Sequence, residues 1–262
     1  MSESIVVEVQ DRVAWIRLNR PESLNALTPT MGRELLAAVE RLGHDRSVRV
    51  LVLAGTGSGF CSGADLREIA AQELGTGVDL GATLRDIFHP LILQLRTLEK
   101  PIIAAVQGGA VGLGCALALA ADLVVAGAAS YLLMAFTNIG LTLDGGSSAL
   151  LTGRAGYGRA AEMSLLAERV DANRAHDWGL VNQVVADEQL QAAAGAIAAR
   201  LAAGPPGAYA ATKRALNQAA FPRLREQLEL EVALQQERAM SADFKEGVQA
   251  FLEKRPPQFT GD

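Results

Sequence analysis

The chain has 262 residues, half of them hydrophobic and a fifth charged, with a formal charge of −5 at pH 7. That length makes one large domain or two small ones, with the composition of a soluble globular protein. The acidic balance and the lack of a long Lys/Arg run argue against nucleic acid as the main partner, though not against a local basic spot for a phosphorylated small molecule.

In chain order, the opening "MSESIVVEVQ" has acidic residues and no basic segment before an apolar run. No signal peptide is expected there, and the expected location is the cytoplasm. "SIVVEVQDRVAWIRLN" gives two β-rich runs broken by "QDR", the pattern of a hairpin. Thr28 is an expected N-cap, with Pro29 at the first helical position and Met31, Leu35, Leu36, Val39 and Leu42 at helical spacing behind it. "VRVLVLAG", "KPIIAAVQG" and "ADLVVAG" read as buried strands with helical patterns between them. Alternation of that kind implies βαβ units and a largely parallel sheet, an α/β fold. Residues 101–121 carry no charge and have the length of a membrane span. A glycine cluster divides them, so a strand, a turn and a buried helix are expected instead. From residue 153 onward the texture is helical. "GRAAEMSLLAERVDANRAHDWGL" reads as a helix pair, "QLQAAAGAIAARLAAG" as an Ala-rich helix closed at Gly204, and residues 222–255 as nearly all helix.

Cys61 and Cys115 sit among small and apolar residues, outside any CxxC pair, and are expected to be buried free thiols. His44, His89 and His176 lack a neighbouring Ser, Asp or second His at a supportive spacing. His89 stands out among them because it follows a segment of unreadable chemistry. Trp15 and Trp178 are expected in the core. No cluster has metal-ligand spacing, and no metal or cofactor is expected.

Two Gly-rich turns, residues 54–66 and 108–122, each lead from a strand into a helix. Neither contains G-x-G-x-x-G, and no G-x-x-x-x-G-K-[ST] exists, so a nucleotide loop is disfavoured. The glycines could simply make tight turns. Alternatively, each turn offers free N–H groups at a positive helix end, and two that converge would hold an oxyanion. A third stretch, "IGLTLDGGSSALL" at 139–151, places the carboxylate of Asp144 among Ile139, Leu141, Leu143 and Leu150. It could cap a helix, or it could transfer a proton from a dry pocket, where burial would raise its pKa.

"NRPESLNAL", "FCSGADL" and "KPIIAAVQGGAVGLGCALALAAD" together resemble the crotonase, or enoyl-CoA hydratase/isomerase, superfamily, and the similarity runs on to "KEGVQAFLEKRPPQF". The resemblance implies a crotonase-like spiral of ββα units over residues 1–195 and a C-terminal α-helical trimerisation region over 196–262. It also implies an acyl-CoA thioester as substrate, with coenzyme A brought by the substrate and not held as a cofactor, and a homotrimer or a hexamer built as a dimer of trimers. By motif position the oxyanion-hole N–H groups fall on Ala64 and Leu113. Leu113 stands where many relatives have Gly and crowds the acyl pocket. CoA contacts fall on Ser23, Leu24, Ala26, Asp65, Leu66, Arg67 and Lys254. Asp65 is expected to fix its loop or cap a helix, and Arg67 and Lys254 to serve as cations for phosphates.

Typical hydratases of the family use two glutamates, whose places here are Ala116 and Phe136. Hydration needs groups to deprotonate water and to protonate carbon, so ordinary hydration is poorly supported. "MAFTNIGLTLDGGSS" instead resembles a branch with an aspartate at position 144, of the ring-1,2-epoxyphenylacetyl-CoA isomerase type from phenylacetate catabolism. The implied activity is double-bond isomerisation, or opening of a ring epoxide. The rivals are a hydratase or hydrolase acting on an unusual acyl-CoA and an acyl-CoA-binding protein without catalysis. Residues 68–95 are expected to form much of the acyl pocket.

Overall fold

The computed structural model describes residues 3–73 and 79–262. The part of the expected pocket segment between 74 and 78 lies outside the described residues. The chain begins with the hairpin β1 (Ile5–Gln10) and β2 (Val13–Leu18), whose two-residue turn has Asp11 and Arg12 both at positive φ (49° and 67°). Such a turn matches the natural twist of a β-ribbon, which is why "QDR" closes it so tightly. Helix α1 (Pro29–His44) follows, with Thr28 Oγ1 accepting the Met31 N–H at 3.1 Å. Next come β3 (Val50–Gly55), α2 (Leu66–Glu73) and α3 (Leu80–Thr83). A π-helical turn (Leu84–Phe88) joins α3 to α4 (His89–Thr97).

The supposed membrane stretch divides as its glycines dictate, into β4 (Ile102–Val106), β5 (Gly109–Val111) and α5 (Leu113–Ala120). No helix among the described residues is long and apolar enough to cross a membrane. Then β6 (Leu123–Gly127), β7 (Tyr131–Leu133), α6 (Ser147–Ala155) and α7 (Tyr157–Leu165) lead to β8 (Val170–Asp171), α8 (Ala172–Asp177) and β9 (Gln183–Val185). The chain continues in α9 (Leu190–Ala203), α10 (Pro206–Ala220), α11 (Leu224–Ala239) and α12 (Ala242–Glu253).

The main sheet has the order β1-β2-β3-β4-β6-β9 and is parallel except for the opening hairpin. Its central strands are covered on both faces, so they read as unbroken apolar runs. Ile16, Leu51, Leu53, Ile102 and Ala104 face α1, α4 and α5, whereas Val50, Val52, Ile103 and Val125 face α9. Helix α9 lies close against them because Leu190, Ala194, Ala198 and Ala202 recur every four residues and present small side chains. The expected boundary after residue 195 therefore falls inside a helix that belongs to the sheet.

A second sheet, β5-β7-β8, stands beside the first and was not expected. Its strands are two or three residues long, too short to show alternation. One of them, β8, interrupts the expected helix pair. Trp15 and Trp178 are half-buried, not core: Arg17 stacks on the first at 4.7 Å, and Arg174 and Arg159 on the second at 4.4 and 5.8 Å. Each indole leaves an edge where a guanidinium can lie over the ring.

Candidate active site

The two Gly-rich turns are bound to one another. The Cys61 N–H donates to Gly109 O at 3.1 Å, and the Val111 N–H donates to Cys61 O at 2.9 Å. Cys61 and Cys115 are buried and free, and burial pushes both thiols up to about 12. A third segment joins the two turns. The Leu27 N–H donates to Gly63 O at 2.7 Å, and Leu27 O accepts the Asp65 N–H at 3.0 Å. That is a parallel β-bridge in which Leu27 bonds to the residues on either side of Ala64. In this pattern the opposite residue, Ala64, turns its own N–H away. Among the described residues this N–H has no partner.

Leu113 opens α5 after Gly112, which sits at φ 53° and ψ −123°. Gly112 O accepts the N–H groups of Cys115 and Ala116, and the Leu113 N–H is one of the donors that a first helical turn leaves over. The two backbones come very near each other. A Cβ on Gly63, which is at φ +91°, would lie 2.9 Å from Val111 O and 3.7 Å from the Leu113 nitrogen. Only glycine permits that approach. Two main-chain donors without a partner among the described residues thus lie on closely approaching backbones, one of them at a helix N-terminus, where a negatively charged oxygen is favoured.

The Leu113 side chain reaches the third stretch. A Cβ on Gly145 would lie 2.4 Å from Leu113 Cδ1 and 3.4 Å from Ala116 Cβ. The neighbour of Gly145 is Asp144, only 8% exposed. Its Oδ2 accepts the Gln235 Nε2–H at 2.8 Å, while its Oδ1 is buried and has no partner among the described residues. Burial, reinforced by the nearby Glu231 carboxylate and opposed by the Gln235 hydrogen bond, raises the Asp144 pKa to about 8.

The helix-cap alternative is overturned by Glu231 on α11. Its Oε2 accepts the Gly146 N–H at 2.7 Å, and its Oε1 accepts the Ser148 N–H at 2.9 Å and the Ser148 hydroxyl at 2.5 Å. The start of α6 is capped from another helix, and the Asp144 side chain is released from that duty. Burial raises the Glu231 pKa against these hydrogen bonds. Neither Gln235 nor Glu231 was singled out in the sequence. The signal available was a polar stripe, Gln227, Glu231 and Gln235, repeating every four residues along α11.

The remaining expected residues divide clearly. Ala116 and Phe136, the places the resemblance assigns to the hydratase glutamates, are buried and apolar. Ser23 and Leu24 form the loop against Ser62, whose N–H donates to Leu24 O at 3.0 Å and whose hydroxyl donates to Ser23 O at 3.1 Å. Leu24 is 49% exposed, at φ 51°. Ala26 is buried, and its carbonyl accepts from Arg20 at 2.6 Å. Asp65 is committed elsewhere: Oδ2 pairs with Arg20 at 3.0 Å, and Oδ1 accepts the Arg67 N–H at 3.2 Å at the start of α2, whose first residue is Leu66. Its carboxylate thus ties the loop of Ala64 to Arg20 and to the first turn of α2. Arg67 is exposed, as is Lys254 at the end of α12, which packs against α2. His44 and His176 are exposed. His89 is buried, both ring nitrogens lack partners, and burial holds its pKa down at about 4, so it is neutral.

Comparison with known proteins fits this geometry. Residues 8–262 match the enoyl-CoA hydratase/isomerase family, and the chain belongs to it. It is 41% identical over 261 residues to the 1,2-epoxyphenylacetyl-CoA isomerase of Escherichia coli K12, with both chains fully covered. It is also 36% identical to the 2,3-dehydroadipyl-CoA hydratase of the same organism, again with full coverage of both. Among solved structures, an enoyl-CoA hydratase from Mycobacterium avium subsp. paratuberculosis K-10 superposes with a TM-score of 0.90 at 37% identity, covering 98% of this chain and 99% of that one. The fold is the crotonase-type ββα spiral with its helical C-terminal region.

Proposed function

We propose that this enzyme is an acyl-CoA isomerase that moves a double bond, or opens a ring epoxide, by proton transfer at C2 of the thioester. Asp144 Oδ1 takes the C2 proton. The C–H electron pair passes into the thioester carbonyl, and the N–H groups of Ala64 and Leu113 hold the resulting enolate oxygen. Return of the same proton at C4 completes a double-bond shift with no net change in atoms. The observation that carries this reading is the buried Asp144 Oδ1, without a partner among the described residues, on a loop whose Gly145 packs against the side chain of Leu113 at the start of α5. A pKa near 8 suits a group that must act first as base and then as acid near neutral pH. The absence of acids at Ala116 and Phe136 weighs against a water-adding mechanism that needs two.

Coenzyme A would lie along the loop Ser23–Ala26 and the start of α2 at Leu66, with Arg67 and Lys254 meeting its phosphates. The working unit is a homotrimer or a dimer of trimers in the cytoplasm, serving phenylacetate catabolism; sedimentation of the purified protein checks the assembly. The chemical test is the fate of a 3-enoyl-CoA. Conversion to the 2-enoyl isomer, with no 3-hydroxyacyl-CoA formed from either isomer, is expected. Accumulation of the 3-hydroxyacyl product would move the assignment to hydratase. Tight acyl-CoA binding without turnover of either isomer or of an epoxide would leave a binding protein.

A further inference from the structure

The loop that carries Asp144 is gripped by α11 at three successive turns. Gln227 Nε2–H donates to Ser148 Oγ at 3.0 Å, Glu231 caps α6, and Gln235 reaches both Asp144 and the main chain at Thr142. The last contact fixes the orientation of the Gln235 amide. Its Oε1 accepts the Thr142 N–H at 3.0 Å, so its NH2 group is the one that faces Asp144 Oδ2 at 2.8 Å. An NH2 group can only donate. A proton on Oδ2 would find no acceptor in Gln235 and would weaken the bond it accepts, so the proton of Asp144 is favoured on Oδ1.

We propose, building on the function just assigned, that Gln235 and Glu231 are positioning residues for Asp144: Gln235 pins Oδ2 so that Oδ1 alone exchanges the proton, and Glu231 fixes the turn beneath it while adding a negative charge nearby. Both are almost fully buried, at 1% and 2% exposure, although the flanking Leu230 and Leu234 of the same helix are 49% and 42% exposed. Placing polar groups inward and leucines outward is unfavourable unless the polar groups are bonded. Here every polar atom of the Glu231 carboxylate and the Gln235 oxygen is bonded to the Asp144 loop. The backbone of Asp243 on α12 packs against Gly140 at the start of that loop, and its charge does not act on Asp144. Leu113 and Ala116 face it from α5 and Ile92 from α4, and His89 on α4 is neutral. Glu231 is the one charged group acting on Asp144 among the described residues.

The two residues push the proton affinity of Asp144 in opposite directions, and this separates positioning from mere support of the fold. Gln235→Met removes a donor to the carboxylate while keeping length. It should lower kcat by about tenfold to a hundredfold with KM little changed, and move the acid limb of the pH–rate profile upward. Glu231→Gln removes the neighbouring charge and should move the same limb downward. Both profiles are measured on the full-length protein with the 3-enoyl-CoA assay, alongside circular dichroism of each variant. Limbs that stay at the wild-type position, or move together in one direction, overturn the inference. Should Glu231→Gln fail to fold, the direction of the Gln235→Met limb decides alone. The functional reading itself is judged separately: it falls if Asp144→Asn retains full turnover, whereas loss of turnover in that variant with unmoved limbs in the other two removes only the role of α11.

Discussion

Two aspartates that start within about twenty residues of each other in the sequence meet opposite fates. Asp122, just before β6, is saturated: Lys213 lies 2.8 Å from its Oδ2, Arg96 3.4 Å from its Oδ1, and the Ile102 N–H donates to it at 2.8 Å. Arg154 adds a third cation nearby, and a cavity of about 550 Å3 opens over this cluster. Asp144 has one hydrogen bond, an acidic neighbour and an oxygen with nothing to bond. A cavity lies next to Asp122, yet Arg96 and Lys213 spend their hydrogen bonds on main-chain carbonyls and on Asn217. What marks a chemical site is unspent capacity in a buried group, since a fully paired charge is already doing a structural job.

Breaking each carboxylate should expose the contrast. The largest effect belongs to Asp144→Asn, which should cut the isomerase rate by about 10²- to 10⁴-fold, the worth of a positioned acid–base group. The same change should raise the melting temperature, because it removes a destabilised carboxylate. Asp122→Ala should do the reverse. It strands Arg96 and Lys213 and should cost about 3 kcal/mol in denaturant unfolding, with turnover per folded molecule unchanged.

A gentler probe is pH. A base that must be ionised should give a kcat/KM that climbs tenfold per unit and levels off near 8. Asp144 holds its proton more tightly folded than unfolded, with a pKa of about 8 against the ordinary 3.8. The folded state thus binds more protons in that interval, and the stability contributed by this group falls as pH rises through it. The melting-temperature gap between Asp144→Asn and the wild type should therefore widen from pH 5 to pH 8. A constant gap would contradict the burial assigned to Asp144.

Much of the frame was legible. The hairpin, α1 with its Thr28 cap, and the strands β3, β4 and β6 announce themselves by runs of apolar residues and by turn chemistry. The proposed oxyanion donors were readable only as a possibility, because backbone N–H groups leave no side-chain trace, and their assignment to Ala64 and Leu113 rests on the resemblance of "SGADL" and "VGLGC". The sheet β5-β7-β8 stayed hidden because two or three residues cannot establish a period. The true cap on α6 stayed hidden for a different reason. Asp144 stands at the right local spacing, but the carboxylate that caps the helix arrives from Glu231, more than eighty residues later, and local reading has no access to that. Gln235, one of two adjacent glutamines in "VALQQER", carries no local mark that tells it from its exposed neighbours.

The Asp144–Gln235 bond spans 91 residues, and the groups that cap α6 lie nearly as far along the chain. During synthesis the spiral of strands can therefore emerge and pack while its acid is still untethered. The oxygen proposed to handle the proton becomes defined only when α11, 91 residues further along the chain, docks against the Asp144 loop, so the frame of strands can form before the proposed acid is set.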